Sequence, residues 1–441
     1  MLACEIAKAT GGELFGNGEV MADGITTDSR SVSEGALFIA IRGERFDGNR
    51  FIASAYAQGA AVVIGNEDIS QPEGKAYIKV SDSVKALGLL STYYRQKFSI
   101  PLVGVTGSVG KTTTKEMIAA VLSASFQTLK TEGNFNNAIG MPLTLLGLSE
   151  TTEAAVIEMG MSAKGEISYL TRLAKPTVAV ITNIGLCHIE HLKTQENIRD
   201  AKLEIAEGLP KGGTLFVCGD DPFLKDIQIE GIQVLRFGLD NPACEIYGKV
   251  LSENSFSVDG FVFDVPIPGK HNILNALCAY AVGKAHHMKN EKIREGLLSY
   301  KTDGIRQSET EIRPGISVIS DYYNASPTAM DVALHMLAKG DAKRKIAVLG
   351  DMLELGEMSE ACHRSVGEKA AKEGIHVLLT VGKEMTFAAE EGRKNGIELV
   401  RHFQDNEALG TFLSENLRTG DRVLIKGSHG MKMGEIFDKI K

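Results

Sequence analysis

The densest chemistry in this 441-residue chain lies in one short run, Thr106-Gly107-Ser108-Val109-Gly110-Lys111-Thr112-Thr113. An apolar, β-prone stretch from Ile100 to Val105 precedes it. Met117, Ile118, Val121 and Leu122 follow at the spacing of one helix face. Glycines at such a strand-to-helix turn let backbone N–H groups close around phosphate oxygens, and the helix N-terminus adds a favourable dipole. Lys111 would bring a positive charge to the β- and γ-phosphates, and the Thr112 hydroxyl would ligate Mg²⁺. Val105 stands where the first glycine of such a loop normally sits. A glycine-rich turn without a ligand is therefore the competing reading.

A phosphate-binding loop implies a nucleotide but not a reaction. Glu158 ends an apolar run, Ala154 to Glu158, and a carboxylate beside bound phosphates suits Mg²⁺, which takes oxygen donors. A solvated strand-end glutamate is the alternative. His188 and His191 follow a second strand end at Asn183, and His188 is the better placed to ligate a second metal through a neutral imidazole. Lys202 lies in Ala201-Lys202-Leu203-Glu204. Burial and nearby cations lower a lysine pKa, and a neutral lysine can take up CO₂ as a carbamate, an anionic oxygen donor. A solvated helical lysine is the ordinary expectation there.

These residues need elements to hold them. Residues 1–97 read as a mixed α/β domain, with strands over Ala36–Ile41 and Ala60–Ile64 and helices over Phe51–Gly59 and Val84–Phe98. From 98 to 312, strands and helices alternate. Ala154–Glu158 and Thr177–Thr182 are near-continuous apolar runs, as in parallel strands covered on both faces. Ser255–Phe263 reads as a hairpin turning at Asp259-Gly260. From 313 to 441 a second alternation predicts a Rossmann-like sheet, with strands at Ile316–Ser320, Lys345–Leu349, Val377–Val381, Glu398–Phe403 and Arg422–Lys426. Its first helix opens with Ser326 as N-cap and Pro327 at the first position. The expected fold is α/β in three domains, and ligands bind at the C-terminal edge of such parallel sheets.

Composition narrows the partners. A net charge of −8 argues against nucleic acid, and the six cysteines have no CxxC spacing, which suits reduced, non-ligating thiols. No apolar run approaches the ~18 residues of a membrane span, and no signal peptide is evident. A soluble, cytoplasmic protein, as a monomer, is the expectation.

The motifs taken together resemble the Mur ligases, ATP-dependent amino-acid and peptide ligases of bacterial cell-wall precursor synthesis. The resemblance runs through Thr106–Thr112, Glu132–Gly140, Ile157–Gly160, Asn183-Ile-Gly with His188, and Ala201–Glu204. It continues through Gly269–Ala276, Arg306, Ser320–Pro327, Val348–Gly356 and Lys426-Gly-Ser428, and it includes Thr27–Arg30 and Gly35–Gly43 near the start. Asp351-Met-Leu-Glu-Leu-Gly356 and Tyr323-Asn-Ala-Ser-Pro327 resemble the branch that adds D-alanyl-D-alanine to UDP-N-acetylmuramoyl-tripeptide (UDP-MurNAc-tripeptide).

That resemblance implies phosphorylation of the tripeptide carboxylate by ATP, followed by attack of the D-Ala-D-Ala amine. It implies one Mg²⁺ on Thr112 and Glu158, and a second on His188 and carbamylated Lys202. Lys111 and Arg306 would stabilise phosphoryl charge, and Asn272 and Asn275 would meet the adenine. Asp321 would contact the ribose or the amine substrate. Asp28, Ser29 and Arg30 would hold the uridine diphosphate, and Asn134, Asn136 and Asn137 the muramoyl-peptide. Asn324, Lys426 and Ser428 complete the expected substrate contacts. Simpler roles compete: a helix cap for Asn272, a backbone-paired strand end for Asp321, Asx turns for the three asparagines, and an exposed turn for Asp28–Arg30. His429 replaces the arginine usual in Lys-Gly-Ser-Arg-Gly. Another Mur-type ligase, a folylpolyglutamate synthase and a P-loop switch NTPase are the rival functions.

Overall fold

The computed structural model describes residues 1–43, 46–302 and 308–441. They group into two compact units. One comprises Met1–Thr182, Ala201–Val265 and His271–Leu298; the other comprises Asn183–Asp200, Pro266–Lys270 and Ser299–Lys441. Residues 1–97 and most of 98–312 thus share a unit, while Asn183–Asp200, which carries His188, groups with the C-terminal residues.

The first unit holds a five-stranded sheet and a seven-stranded sheet. The five-stranded sheet is built on Leu37–Ile39, Val62–Gly65 and Ala76–Lys79, parallel neighbours with Glu13–Gly16 antiparallel at one edge. The expected strand over Ala36–Ile41 shrinks to Leu37–Ile39, and that over Ala60–Ile64 shifts to Val62–Gly65. The expected helix over 51–59 becomes Ile52–Ala57, after a 3₁₀ turn Gly48–Phe51 in which Asp47 accepts from the Asn49 N–H at 3.0 Å. Ser83–Arg95 forms the next helix, capped by Asp82, which accepts from Val84 and Lys85 N–H.

The seven-stranded sheet is parallel throughout. Within it Leu102–Thr106 lies between Ala154–Glu158 and Val178–Ile181, the latter being the middle strand of the seven. All three are buried along their whole length, which is why they read as uninterrupted apolar runs. Met117, Ile118, Val121 and Leu122 of the following helix, Lys111–Ser123, are fully buried. Each such side chain contributes about 1.5–3 kcal/mol by leaving water. The Asp259-Gly260 hairpin forms as expected, pairing Ser255–Val258 with Phe261–Asp264. Both turn residues have positive φ, 49° and 80°.

The second unit holds a six-stranded sheet. Ile316–Ser320, Asp421–Lys426, Arg344–Gly350, Val377–Val381 and Leu399–Phe403 are parallel in that order, with Ser308–Arg313 antiparallel at the edge. Pro327–Lys339 is capped by Ser326 and buries Met330, Leu334 and Leu337.

Candidate active site

The loop after Leu102–Thr106 is shaped by two glycines at positive φ, where a side chain would be strained. Gly107 has φ 150°, and a Cβ there would fall 1.9 Å from Thr182 Oγ1. Gly110, with φ 80°, hands the chain into the helix. Thr182 Oγ1 donates to Val109 O at 2.7 Å, and Thr106 Oγ1 to Met159 O at 2.9 Å, so both neighbouring strands pin the loop. Ser108 is buried at the loop's crest. Lys111 arches back over the loop and donates to Gly107 O (2.8 Å) and Ser108 O (3.3 Å), which sets its ammonium above the N–H-rich turn. Thr113 is half-buried in the first helical turn.

Next to the loop stands Glu158, only 2% exposed. Its Oε2 accepts from Thr112 Oγ1 at 2.8 Å, and its Oε1 from Asn136 Nδ2 at 2.8 Å. The solvated strand-end alternative for Glu158 therefore does not hold. Two hard oxygen donors side by side at a phosphate-binding turn are what Mg²⁺ takes when nucleotide phosphates supply further ligands. Among the described residues, no group of three or more His, Cys, Asp or Glu side chains forms a ready-made metal cage.

The asparagine loop divides its labour. Asn136 serves Glu158, and its backbone O accepts from Gly160 N–H at 2.8 Å. Asn137 Oδ1 accepts from Ile139 and Gly140 N–H, an Asx-type turn that starts the helix Gly140–Leu146. Asn134 is exposed at the tip. Asn275, on the helix Lys270–Ala285, accepts from Thr114 Oγ1 at 3.1 Å and lies 3.1 Å from where a Gly110 Cβ would be. Asn272, one turn earlier on the same helix, is buried, as is Lys202 on Gln195–Leu203. Its burial removes the solvated-lysine expectation.

Asp28, Ser29 and Arg30 form an exposed turn. Arg30 reaches Asp28 through Nε (2.9 Å) and Nη2 (2.6 Å), and Gln58 Nε2 donates to Ser29 O. The bonds from Arg30 hold the Asp28 carboxyl down at about 2.

In the second unit, His188 precedes the short helix Ile189–Leu192 as its N-cap residue, and His191 lies within that helix. His188 sits at φ 60°, and its Nδ1 makes an ion-pair contact with the Glu354 carboxylate. Glu354 is itself at φ 63°, and its backbone O accepts from Glu190 N–H at 3.2 Å. His191 is exposed. Asp321 and Lys426, on neighbouring strand ends, form a buried pair with Nζ–Oδ2 at 2.6 Å. Lys426 also donates to Asn324 O at 3.0 Å, while Asn324 Oδ1 accepts from Ala325 N–H. Asp321 is thus bound to a lysine rather than to a backbone N–H. Ser428 Oγ accepts from Leu353 N–H at 2.9 Å, tying two loops together, and the His429 ring lies tilted against that of Tyr323 with centroids 5.7 Å apart. Arg306 lies outside the described residues.

The geometry therefore gathers Thr106–Thr113, Glu158, Asn136 and Asn275 in the first unit, and Asp321, Asn324, Lys426 and Ser428 in the second. Sequence reasoning missed Thr131, Glu354 and Lys115. Lys115 left a signal: it falls among Met117, Ile118 and Val121 on a helix too apolar there for an idle charge.

Comparison with known proteins follows the same division. Residues 22–95 match the Mur ligase family catalytic domain, 105–283 the Mur ligase middle domain, and 307–429 the Mur ligase glutamate ligase domain. The chain is 41% identical over 425 residues to the UDP-N-acetylmuramoyl-tripeptide--D-alanyl-D-alanine ligase of Bacillus subtilis, covering 95% of this chain and 93% of that one. A crystal structure of MurF from Acinetobacter baumannii superposes with a TM-score of 0.90 at 30% identity, over 100% of this chain and 98% of the other. MurF ligase from Thermotoga maritima in complex with ADP gives 0.83 at 28% identity, over 96% and 97%. With its glycine turn between strand and helix, its buried carboxylate and this likeness along its whole length, the chain belongs to the Mur ligase family.

Proposed function

We propose that this chain is the ATP-dependent ligase that joins D-alanyl-D-alanine to UDP-MurNAc-tripeptide, releasing ADP and phosphate, in peptidoglycan synthesis. The observation that carries it is full-length similarity to ligases of that name, joined to a loop whose Thr112 and Glu158 lie 2.8 Å apart over a phosphate-binding turn.

The γ-phosphoryl group passes to the tripeptide's terminal carboxylate: a P–O bond to ADP breaks and a carboxylate O–P bond forms. The acyl phosphate gives the carbonyl carbon a leaving group. The dipeptide amine then forms the C–N bond, loses a proton and expels phosphate. Charge on the transferred phosphoryl oxygens is the main demand. Lys111 meets it from above the loop, and the Gly107–Thr113 backbone cradles the phosphates. Mg²⁺ held by Thr112 and Glu158 would neutralise phosphate charge when bound. Asn136 orients Glu158 for that task.

The remaining assignments belong to the same reading. Residues 1–97 bind the UDP end through Asp28, Ser29 and Arg30; residues 98–312 bind ATP, with Asn272 and Asn275 toward adenine; residues 313–441 bring Asp321, Asn324, Lys426 and Ser428 to the substrates. Arg306 adds phosphoryl-stabilising charge. Lys202 is the lysine to carry a carbamate, and its burial away from water supports that role. His188 is a metal ligand in the second unit, where a carboxylate on one ring nitrogen is the usual way to orient an imidazole for a metal. The enzyme works as a cytoplasmic monomer; no helix among the described residues is long and apolar enough to cross a membrane.

The test is ADP release with ATP, Mg²⁺ and UDP-MurNAc-tripeptide, with and without D-Ala-D-Ala, and mass analysis of the product. Release that needs both substrates and yields the pentapeptide supports the reading. ADP formed without either substrate, or only with a single amino acid, overturns it.

A further inference from the structure

Lys115 is fully buried, yet nothing in the reaction uses it. A buried ammonium is costly unless paired, and an apolar residue would fill that face of the helix more cheaply. Its partners explain its presence. Nζ donates to Thr131 O at 2.6 Å and lies 2.8 Å from Glu116 Oε1. Glu116 already has Lys130 at 2.5 Å, so neutralising Glu116 does not require Lys115. Thr131 is the distinctive partner. Also fully buried, it continues the edge strand Thr128–Lys130, with its N–H on Val156 O at 3.0 Å. Its hydroxyl accepts from Glu158 N–H at 2.9 Å.

These bonds close a ring. From the helix, Lys115 grips the Thr131 carbonyl; the Thr131 hydroxyl grips the Glu158 backbone; the Glu158 carboxylate grips Thr112, three residues before Lys115 on the same helix. A carboxylate and a hydroxyl can share a small cation only if their separation is fixed. The ring fixes it by tying the strand end to the helix start on two sides. The geometry points to Lys115 as a positioning residue that, through Thr131, sets Glu158 against Thr112 for the metal of the nucleotide complex. This rests on the assignment of Thr112 and Glu158 as Mg²⁺ ligands.

The experiment uses the full chain and reads Mn²⁺ binding by electron paramagnetic resonance in the presence of ADP, alongside ADP binding without metal. Lys115→Met keeps the length of the side chain and removes the charge. Thr131→Val keeps the shape and removes the hydroxyl, and Thr131→Ser restores it. Outer contacts of this kind change metal affinity by roughly 10- to 100-fold. Lys115→Met and Thr131→Val should each weaken Mn²⁺ binding by that factor and leave metal-free ADP binding unchanged. The double variant should be no weaker than the worse single one, because both break the same ring. Thr131→Ser should recover most of the loss, and Glu116→Gln should change little.

Wild-type Mn²⁺ affinity in folded Lys115→Met overturns the proposal, as do additive losses or an equal loss of metal-free ADP binding. If Lys115→Met does not fold, the threonine pair decides: equal affinity for Val and Ser overturns the proposal, and a weaker Val supports it. Glu158→Gln separates the two levels. If it retains wild-type Mn²⁺ affinity, the metal assignment itself fails. If it loses affinity while Lys115→Met and Thr131→Val do not, only the ring fails.

Discussion

Replacing Lys426 by methionine removes one charge from a buried pair and keeps nearly the same length of side chain. Its Nζ lies 2.6 Å from Asp321 Oδ2, and the two side chains are 2% and 11% exposed. Water therefore cannot take over the lysine's role at the carboxylate. Breaking one partner of a buried pair typically costs about 3–5 kcal/mol, because the remaining charge is stranded. The Asp321 and Asn324 carbonyls also lose a donor, each worth about 1 kcal/mol. In Asp321→Asn/Lys426→Met no charge is stranded, so that variant should recover most of the loss and keep only the carbonyl cost. The assay is hydrogen exchange read by mass spectrometry on peptides spanning Ile316–Ser320 and Asp421–Lys426. The stranded charge and the two lost donor bonds together come to about 5–7 kcal/mol, so at about 1.4 kcal/mol per decade the single variant should exchange roughly 10³- to 10⁵-fold faster at neutral pH. A loss below about 1 kcal/mol, or a double variant as unstable as the single, would refute stranded charge as the cause.

Three further outcomes are expected. Gly107→Ala drives a Cβ into Thr182 Oγ1 at a φ of 150°; strain of about 1–3 kcal/mol should weaken ADP binding roughly 5- to 150-fold, seen by calorimetric titration, while circular dichroism stays unchanged. Burial pushes the Cys218 thiol up to about 12 and Cys244 to about 11, and Cys278 is also raised, so exposed Cys4 should alkylate first at pH 7.5 in intact-mass measurements; early modification of Cys278 would contradict the packing. The hydrogen bonds from Arg422 hold the Glu309 carboxyl below its ordinary range. The stabilisation is therefore complete above about pH 4.3, where an unfolded glutamate is ionised, and lost as pH falls through the folded value. Glu309→Gln should flatten that part of the urea-midpoint profile between pH 3 and 6.

What could be read in the sequence was set by local chemistry. Ala154–Glu158, Ile316–Ser320 and Val377–Val381 coincide with their expected strands because runs buried on both faces leave no ambiguity of period. The Ser326-Pro327 start and the Asp259-Gly260 turn were legible for similar reasons, since each fixes its own backbone. Partners distant along the chain were not legible. Asp321 and Lys426 stand 105 residues apart, and only the pairing of their strands brings them together. Asn136 and Asn137 look alike in sequence; one holds the Glu158 carboxylate and the other starts a helix. Residue type announced polar chemistry at both positions, but the sheet order decided what each would touch.

The His188 contact has a consequence for the order of events during synthesis. Asn183–Asp200 emerges from the ribosome well before Glu354, yet it belongs to the unit whose sheet is made afterwards. At about 5–20 residues per second, His188 waits roughly ten to thirty seconds for its carboxylate. During that time the left-handed backbone position at 188 has no contact with Glu354 to offset its cost. A fragment ending near residue 298 would keep the whole phosphate-binding turn but leave Asn183–Asp200 without the rest of its unit. Such a fragment should be cut by proteases within that segment, and the full-length chain should resist them there.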